Sequence, residues 1–294
     1  MRGRKSLRRG NPSRSRLYWL FLLPSLLGVL LFFTIPFAYS LYYALIDNLG
    51  TRNFVGLQNF TDTLTNELFQ SASFNTAVFM GLSIPAGMAI ALLLALCLRG
   101  MKRGKVITSL LLMLPLVVPS GAIAYFWQVM FGANGQVIKL MLQLGADHRE
   151  IVQNQWAMGS LVVIFLWKNI SYNIVLFWSG LNWIPNTYYE QMRIEGGGAW
   201  TQFRHITWVY LAPTTIVTLL MSVANSFKVF KEVYSLYGAY PAKDIYLLQH
   251  YMNNQFLAVN MQKLSSAAYI LFVVVGAALW ILFKAQKKLT DYYY

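Results

Sequence analysis

The sequence predicts an all-α, polytopic membrane protein with six transmembrane helices, and three observations carry that expectation. Hydrophobic residues make up 57% of the chain and charged residues only 12%, about half the roughly 25% charged of globular domains. The apolar residues gather in six long runs that are nearly free of charge. The basic residues gather beside those runs instead of being spread over a surface.

A helix needs about 20 apolar residues to cross the hydrocarbon core. The runs 17–38, 71–98, 206–227 and 264–283 carry no charge, nor does 106–138, which is long enough for a tilted or bent span and its exit. The run 151–189 carries one charge, Lys168. Each run is expected to be helical, because backbone amides in lipid must be satisfied within the segment. The spans are placed at about 17–38, 72–98, 106–131, 156–181, 206–228 and 264–286, within a membrane domain 17–288. A basic tail, 1–16, precedes it and a short tail, 289–294, follows. The first run is too long for a signal-peptide core and has no convincing small-x-small cleavage site, so it is expected to stay as a helix.

The charges give an orientation. Arg2, Arg4, Lys5, Arg8, Arg9, Arg14 and Arg16 precede the first span, and Arg99, Lys102, Arg103 and Lys105 lie between the second and third. Arg193 and Arg204 lie between the fourth and fifth, and Lys284, Lys287 and Lys288 follow the sixth. These sixteen of the 24 Lys and Arg share one side of a six-span topology. By the positive-inside rule that side, with both termini, is cytoplasmic. The net charge of +14 is therefore assigned to anionic lipid and insertion topology, and nucleic acid is not expected as a partner. Cys97 is the single cysteine, which excludes an internal disulfide framework and a cysteine-rich zinc site. His148, His205 and His250 make no ligand spacing with one another or with Cys97. No nucleophile–base set stands out, so neither catalytic nor metal-ligating residues are expected.

The segment 185–206 carries a mechanism. Pro185 is expected to break the end of the fourth span. Thr187 and Glu190 have the spacing of a capping box, so a short helix is predicted from about 188 to 195, closed by Gly196, Gly197 and Gly198. Tyr188 or Tyr189 shares a face with Met192, while Glu190, Arg193 and Glu195 give a charged flank. Two turns of helix are unstable alone in water. Such a piece either lies on lipid head groups or docks into a cytosolic protein.

Here the residues resemble a family. The segment is similar to the EAA loop of ABC importer permeases: Glu190 matches the Glu, Arg193-Ile194 the linker, and Glu195-Gly196 the Asp-Gly. Trp200, Phe203, His205-Ile206-Thr207 and Pro213 continue in register. Gln191 and Met192 stand where that family has two alanines, and Trp208-Val209 where Leu-Pro is common. The resemblance extends from about Leu17 to Lys288. It takes in Phe21-Leu-Leu-Pro24 and Ile35-Pro36, Phe54-Val-Gly-Leu-Gln-Asn-Phe60, Leu114-Pro-Leu-Val-Val-Pro119, Trp167-Lys168 and Gly180-Leu181. Gly238-Ala-Tyr-Pro241 departs from the frequent Gly-Gly-Pro. The pattern is that of carbohydrate-type permeases, and is most similar to the first permease subunit of the maltose and glycerol-phosphate transporters.

The resemblance implies a type I ABC importer permease in the bacterial cytoplasmic (inner) membrane. It implies a second permease subunit, two ATPase subunits and an extracytoplasmic solute-binding protein as partners. Tyr189, Glu190, Met192, Arg193, Glu195 and Gly196 are then the residues that couple to the ATPases. The chain itself has no Gly-x-x-x-x-Gly-Lys-Ser/Thr loop, so it is expected to be non-catalytic and to bind no cofactor, with ATP and Mg on the ATPases.

Polar groups at membrane depth mark pathways. Lys168, Asn169, Tyr172 and Asn173 cluster in the middle of the fourth run, and Ser222, Asn225 and Ser226 in the fifth. With Trp167 and Trp178 they form a set able to hold a hydroxylated solute by hydrogen bonds and ring stacking. Hydrogen bonding between helices accounts for the same residues, and the partner of Lys168 is not legible. The rival reading, a self-sufficient secondary transporter, predicts internal repeats and coupling carboxylates within the spans; neither is found. An intramembrane enzyme lacks its nucleophile–base or metal set.

Overall fold

A computed structural model describes residues 12–131, 135–145 and 157–293. The basic positions before Pro12, His148, Arg149 and the expected start of the fourth span at 156 lie outside the described residues. Within them the chain is all-α, with one isolated antiparallel bridge, Ile46 to Phe54. Five helices are long and apolar enough to cross a membrane, or six if one bent pair counts as a single span.

The first helical stretch runs as α1 (Pro12–Val29), a π turn (Leu30–Thr34) and α2 (Ile35–Ala44). The Ile35 N–H reaches back five residues to the Leu30 carbonyl. Pro36, just beyond, has no N–H for the Phe32 carbonyl, and a proline ring crowds the carbonyl four residues before it. The widened turn takes up that crowding. This stretch begins four residues before the expected edge of the N-terminal tail. It leaves no residue buried in its most apolar window and leans on the last helix, where Tyr269 Oη donates to the Phe37 carbonyl at 2.6 Å and the two rings stack at 4.6 Å.

After the small helix α3 (Gln58–Leu64), α4 (Glu67–Gly100) is capped by Asn66, whose side chain accepts the Phe69 N–H at 3.0 Å. On α4, Ser83, Gly87, Ala91 and Ala95 recur every fourth residue and are all buried. Small residues at this spacing let two backbones approach; a Cβ on Gly87 would stand 3.1 Å from Leu166 of the partner helix α8 (Ala157–Asn182). The run expected as one third span is two helices, α5 (Lys105–Val117) and α6 (Ser120–Phe131), bent by 93° about Val118 and Pro119. A residue before proline is pushed out of the helical region, and Val118 has ψ of 126°. The amphipathic α7 (Gln136–Gln143) follows.

Beyond α8 come the short α9 (Asn186–Ile194) and α10 (Ala199–Gln202), a π turn (Phe203–Thr207), then α11 (Trp208–Lys228) and α12 (Phe230–Tyr237). A connecting segment holds α13 (Leu248–Leu257), and α14 (Met261–Tyr293) ends the chain, so the last helix continues through the expected C-terminal tail. At the α9 end of the bundle the core is Ala91, Ala95, Leu98, Ile174, Phe177, Leu181, Ile184, Ile206 and Leu211, drawn from α4, α8 and α11 with their flanks. At the opposite end Phe79, Leu161, Phe165, Val229, Val233 and Leu247 pack together. The rim of the bundle is strongly apolar, with Phe32, Val117, Leu93 and Phe272 among its exposed side chains, the surface a lipid solvent requires.

Candidate coupling and pathway sites

The short helix α9 is built by its two ends. Pro185 is its N-cap, extended at φ −60° and ψ 137°, and no side chain caps it. The expected Thr187–Glu190 capping box is therefore absent, because the helix starts two residues earlier and Thr187 lies inside it. Its end matches the glycine signal. Gly196 takes φ of +81°, its N–H donates to the Arg193 carbonyl at 3.0 Å, and the Gly197 N–H donates to the Met192 carbonyl at 2.8 Å. These two bonds make a Schellman motif. A Cβ on Gly197 would lie 2.6 Å from Met192 Cγ, so the turn admits only glycine there.

Between those ends the helix has two unlike sides. Tyr189 and Met192 face inward and pack on the core at this end of the bundle, and Tyr188 stacks on Tyr210 at 5.2 Å. Glu190, Gln191, Arg193 and Glu195 are exposed, and Ile194 is 86% exposed. Of the residues singled out in the sequence, Tyr189 and Met192 thus hold the helix, while Glu190, Arg193 and Glu195 lie on its exposed side.

Arg99, in the last turn of α4, figured in the sequence only as one basic residue of a turn. Its Nη1 donates to Tyr189 Oη at 2.9 Å, and its Nη2 donates to the Ile184 carbonyl at 3.2 Å and to Asn186 Oδ1 at 3.1 Å. Its guanidinium carbon also lies 4.6 Å from the centre of the Tyr189 ring, a cation–π contact. Tyr189 Oη pairs in turn with the buried Thr207 Oγ1 at 2.9 Å. Beside this junction lies a cleft of about 550 Å³ lined by Leu96, Arg99, Tyr189, Glu190, Arg193 and Gln202.

The polar residues of the two central helices fall into separate groups. Lys168 on α8 forms an ion pair with Glu232 on α12. Glu232 is 1% exposed. With Asn169, Asn225 and Lys228 the pair lines a cavity of about 40 Å³, room for about one water. Asn169 donates to the Phe165 carbonyl at 3.0 Å, and Lys228 Nζ donates to Asn225 Oδ1 at 2.9 Å. One turn along, Ser222 Oγ donates to Asn173 Oδ1 at 3.3 Å, joining α11 to α8. Tyr172 is half-buried. Trp167 stacks on Phe126 and meets Trp127 edge-on, whereas Trp178 lies towards the α9 end of α8 beneath Lys105, 5.3 Å from its ring. Trp178 therefore does not join Trp167 in one site. Glu232 is the partner of Lys168 that the sequence left unread. It sits four residues past the end of α11, beside Lys231 in sequence, on α12, which continues the same helical stretch. Among the described residues no three His, Cys, Asp or Glu side chains gather as a metal site.

Comparison with known proteins agrees with this architecture. Residues 83–288, which contain α8 to α12 and both sites, match the family model of the binding-protein-dependent transport system inner membrane component. The chain is 30% identical over 287 residues to the sn-glycerol-3-phosphate transport system permease protein UgpA of Brucella suis, covering 96% of this chain and 98% of that one. It is 26% identical over 262 residues to the probable starch degradation products transport system permease protein AmyD of Thermoanaerobacterium thermosulfurigenes, covering 88% and 90%. In fold it resembles a chain from the crystal structure of a bacterial ABC transporter involved in the import of the acidic polysaccharide alginate, with a TM-score of 0.79 at 20% identity over 94% of this chain and 96% of that one. The all-α bundle, its apolar rim and the match over residues 83–288 together show that this multi-pass chain belongs to the family of binding-protein-dependent transport system inner membrane components.

Proposed function

We propose that this chain forms half of the translocation pathway of an ATP-driven importer for a carbohydrate, and that α9 is where the ATPases engage it. Permease subunits of this family are not themselves catalytic; the ATP and Mg belong to two cytosolic ATPase subunits. A second permease completes the pathway, and an extracytoplasmic solute-binding protein delivers the solute. Both termini are cytoplasmic in this reading, which puts α9 with Arg99, Lys102, Arg103 and Lys105 on the ATPase side.

The observation that carries the coupling role is the two-sided build of α9. Its inward side is fixed to the bundle by Tyr189 and Met192, and its outward side presents Glu190, Arg193, Ile194 and Glu195. Closing the ATPases on that side would press a helix that cannot yield independently of the bundle. Nucleotide shifts the conformational equilibrium only through its different affinity for the two states, and α9 is where that difference enters the membrane.

The carbohydrate assignment draws on AmyD, named for starch degradation products, and on polar groups suited to hydroxyls: Asn169, Asn173, Ser222 and Asn225. A glycerol phosphate is the second reading, favoured by the match to UgpA and by Lys168 and Lys228 at the small cavity.

Affinity purification from mild detergent, scored for ATP hydrolysis and copurifying subunits, tests the coupling role. Wild type is expected to bring down ATPases, and Glu190→Ala and Gly196→Pro to lose or uncouple them. Absence of any ATPase from intact preparations would reduce α9 to a helix lying on lipid. Uptake of radiolabelled maltodextrin against radiolabelled sn-glycerol-3-phosphate, in cells expressing the whole importer, separates the two solutes.

A further inference from the structure

We propose that Arg99 is a positioning residue that ties span two to α9, so that displacement of α9 moves the end of α4 with it. The proposal rests on the reading that α9 receives the ATPases. The geometry behind it is a convergence of three chain segments on one side chain, with a fourth reached through Tyr189. The guanidinium leaves the last turn of α4, donates to the Ile184 carbonyl just past the end of α8, and donates to Asn186 in the first turn of α9. It also donates to Tyr189 Oη, which pairs with Thr207 in the π turn leading into α11.

Arginine suits this position for physical reasons. Its planar fork donates in several directions at once and stacks on a ring, while a lysine offers a point charge on a flexible stem. Here both capacities are used: three acceptors and the Tyr189 ring beside the guanidinium. The Ile184 carbonyl lies in the short link between α8 and α9, outside both helices, so the same side chain satisfies a backbone group at the junction. The cleft next to it, lined by Leu96, Gly100, Glu190, Arg193 and Gln202, leaves α9 and α4 open to each other there. Inward pressure on α9 is then relayed to α4 through Arg99, and to α11 through Tyr189 and Thr207. Tyr189 and Met192 keep α9 seated on the apolar core, so loss of Arg99 removes the relay to span two without removing the helix.

The test uses the assembled importer in lipid nanodiscs with cysteine-free partner subunits. Spin labels go on the native Cys97, exposed on α4, and on Ile194→Cys, exposed on α9. Distances between the labels are measured without nucleotide and after trapping with ATP and vanadate. In the Arg99-containing protein the two labels are expected to move together, leaving the distance distribution unchanged on trapping. With Arg99→Gln the distribution is expected to shift on trapping while ATPases still copurify, and Arg99→Lys to give a smaller shift. An Arg99→Gln importer that keeps its ATPases and shows no shift overturns the relay and leaves the docking of α9 intact. Failure of the Arg99-containing protein to copurify ATPases overturns the docking itself. Tyr189→Phe, which keeps the ring and deletes the hydroxyl, provides the same comparison should Arg99→Gln fail to assemble.

Discussion

Gly180 of α8 lies against Thr214 of α11 so closely that a Cβ at Gly180 would stand 2.5 Å from Thr214 Oγ1 and 3.0 Å from its Cγ2. Spans four and five therefore meet backbone to side chain at this level, with Leu211 also 3.0 Å away. Gly180→Ala is expected to destabilise the protein by about 1–3 kcal/mol, the usual range for overpacking, even though alanine favours a helix over glycine. Adding Thr214→Ala, which deletes the two nearest atoms, should recover part of the loss in thermal unfolding of the detergent-solubilised protein.

The Lys168–Glu232 pair offers a sharper contrast. Removing one member of a buried pair costs about 3–5 kcal/mol. The Lys168 side chain is 27% exposed, so Glu232→Leu should fall at the lower end of that range and Lys168→Met above it. The double variant Lys168→Met, Glu232→Leu is expected to be more stable than either single one. Melting temperatures of all four proteins give the coupling directly.

At the end of α9 three consecutive glycines differ in what they tolerate. Gly196→Ala puts a side chain in the left-handed region, at a cost of about 1–2 kcal/mol, and Gly197→Ala drives a methyl into Met192. Gly198 has φ of −72° and open space around its Cβ position. Copurification of ATPase subunits is therefore expected to fall for the first two substitutions and to be unchanged for Gly198→Ala.

His250 supplies a pH dependence. It is fully buried in α13, its Nδ1 accepts the Leu247 N–H at 3.3 Å, and burial pushes its imidazole from 6.5 down to about 4. Above pH 6.5 folded and unfolded chains are both neutral at this site. Between 6.5 and about 4 the unfolded chain takes up the proton first, so stability falls as the pH falls. Melting temperatures at pH 7.5 and pH 5 are expected to drop more for wild type than for His250→Leu, which is less stable at pH 7.5 but has nothing to titrate.

The long apolar runs were legible because lipid imposes one rule, a helix of sufficient length, whatever the neighbours are. The glycines after α9 were legible for a similar reason, since the chemistry of a left-handed turn is local. Relations between runs were not. Glu232 stands past the end of its run beside Lys231, and nothing local to it specifies that α12 turns it onto Lys168. Arg99 reads as a charge marking a cytoplasmic turn until the fold brings Tyr189 and Ile184 to it. The capping box at Thr187 and Glu190 failed because the chain already leaves α8 in an extended conformation at Pro185, so the helix begins at Asn186. The bend in the third run was foreshadowed by Pro119, but its angle depends on what α6 packs against, and that includes Ile164 of α8.

The buried ion pair also bears on how the chain is made. Its members are 64 residues apart, and a ribosome delivers Lys168 to the bilayer well before the carboxylate that neutralises it. A lysine at the centre of a helix opposes insertion by about 2.5–3.5 kcal/mol. Span four must offset that with its own apolar residues, and the dozen Leu, Ile, Phe and Val between 157 and 182, each favouring insertion by about 0.3–0.6 kcal/mol, outweigh the lysine itself. The richness of that run is thus matched to a charge it has to carry alone until span five arrives.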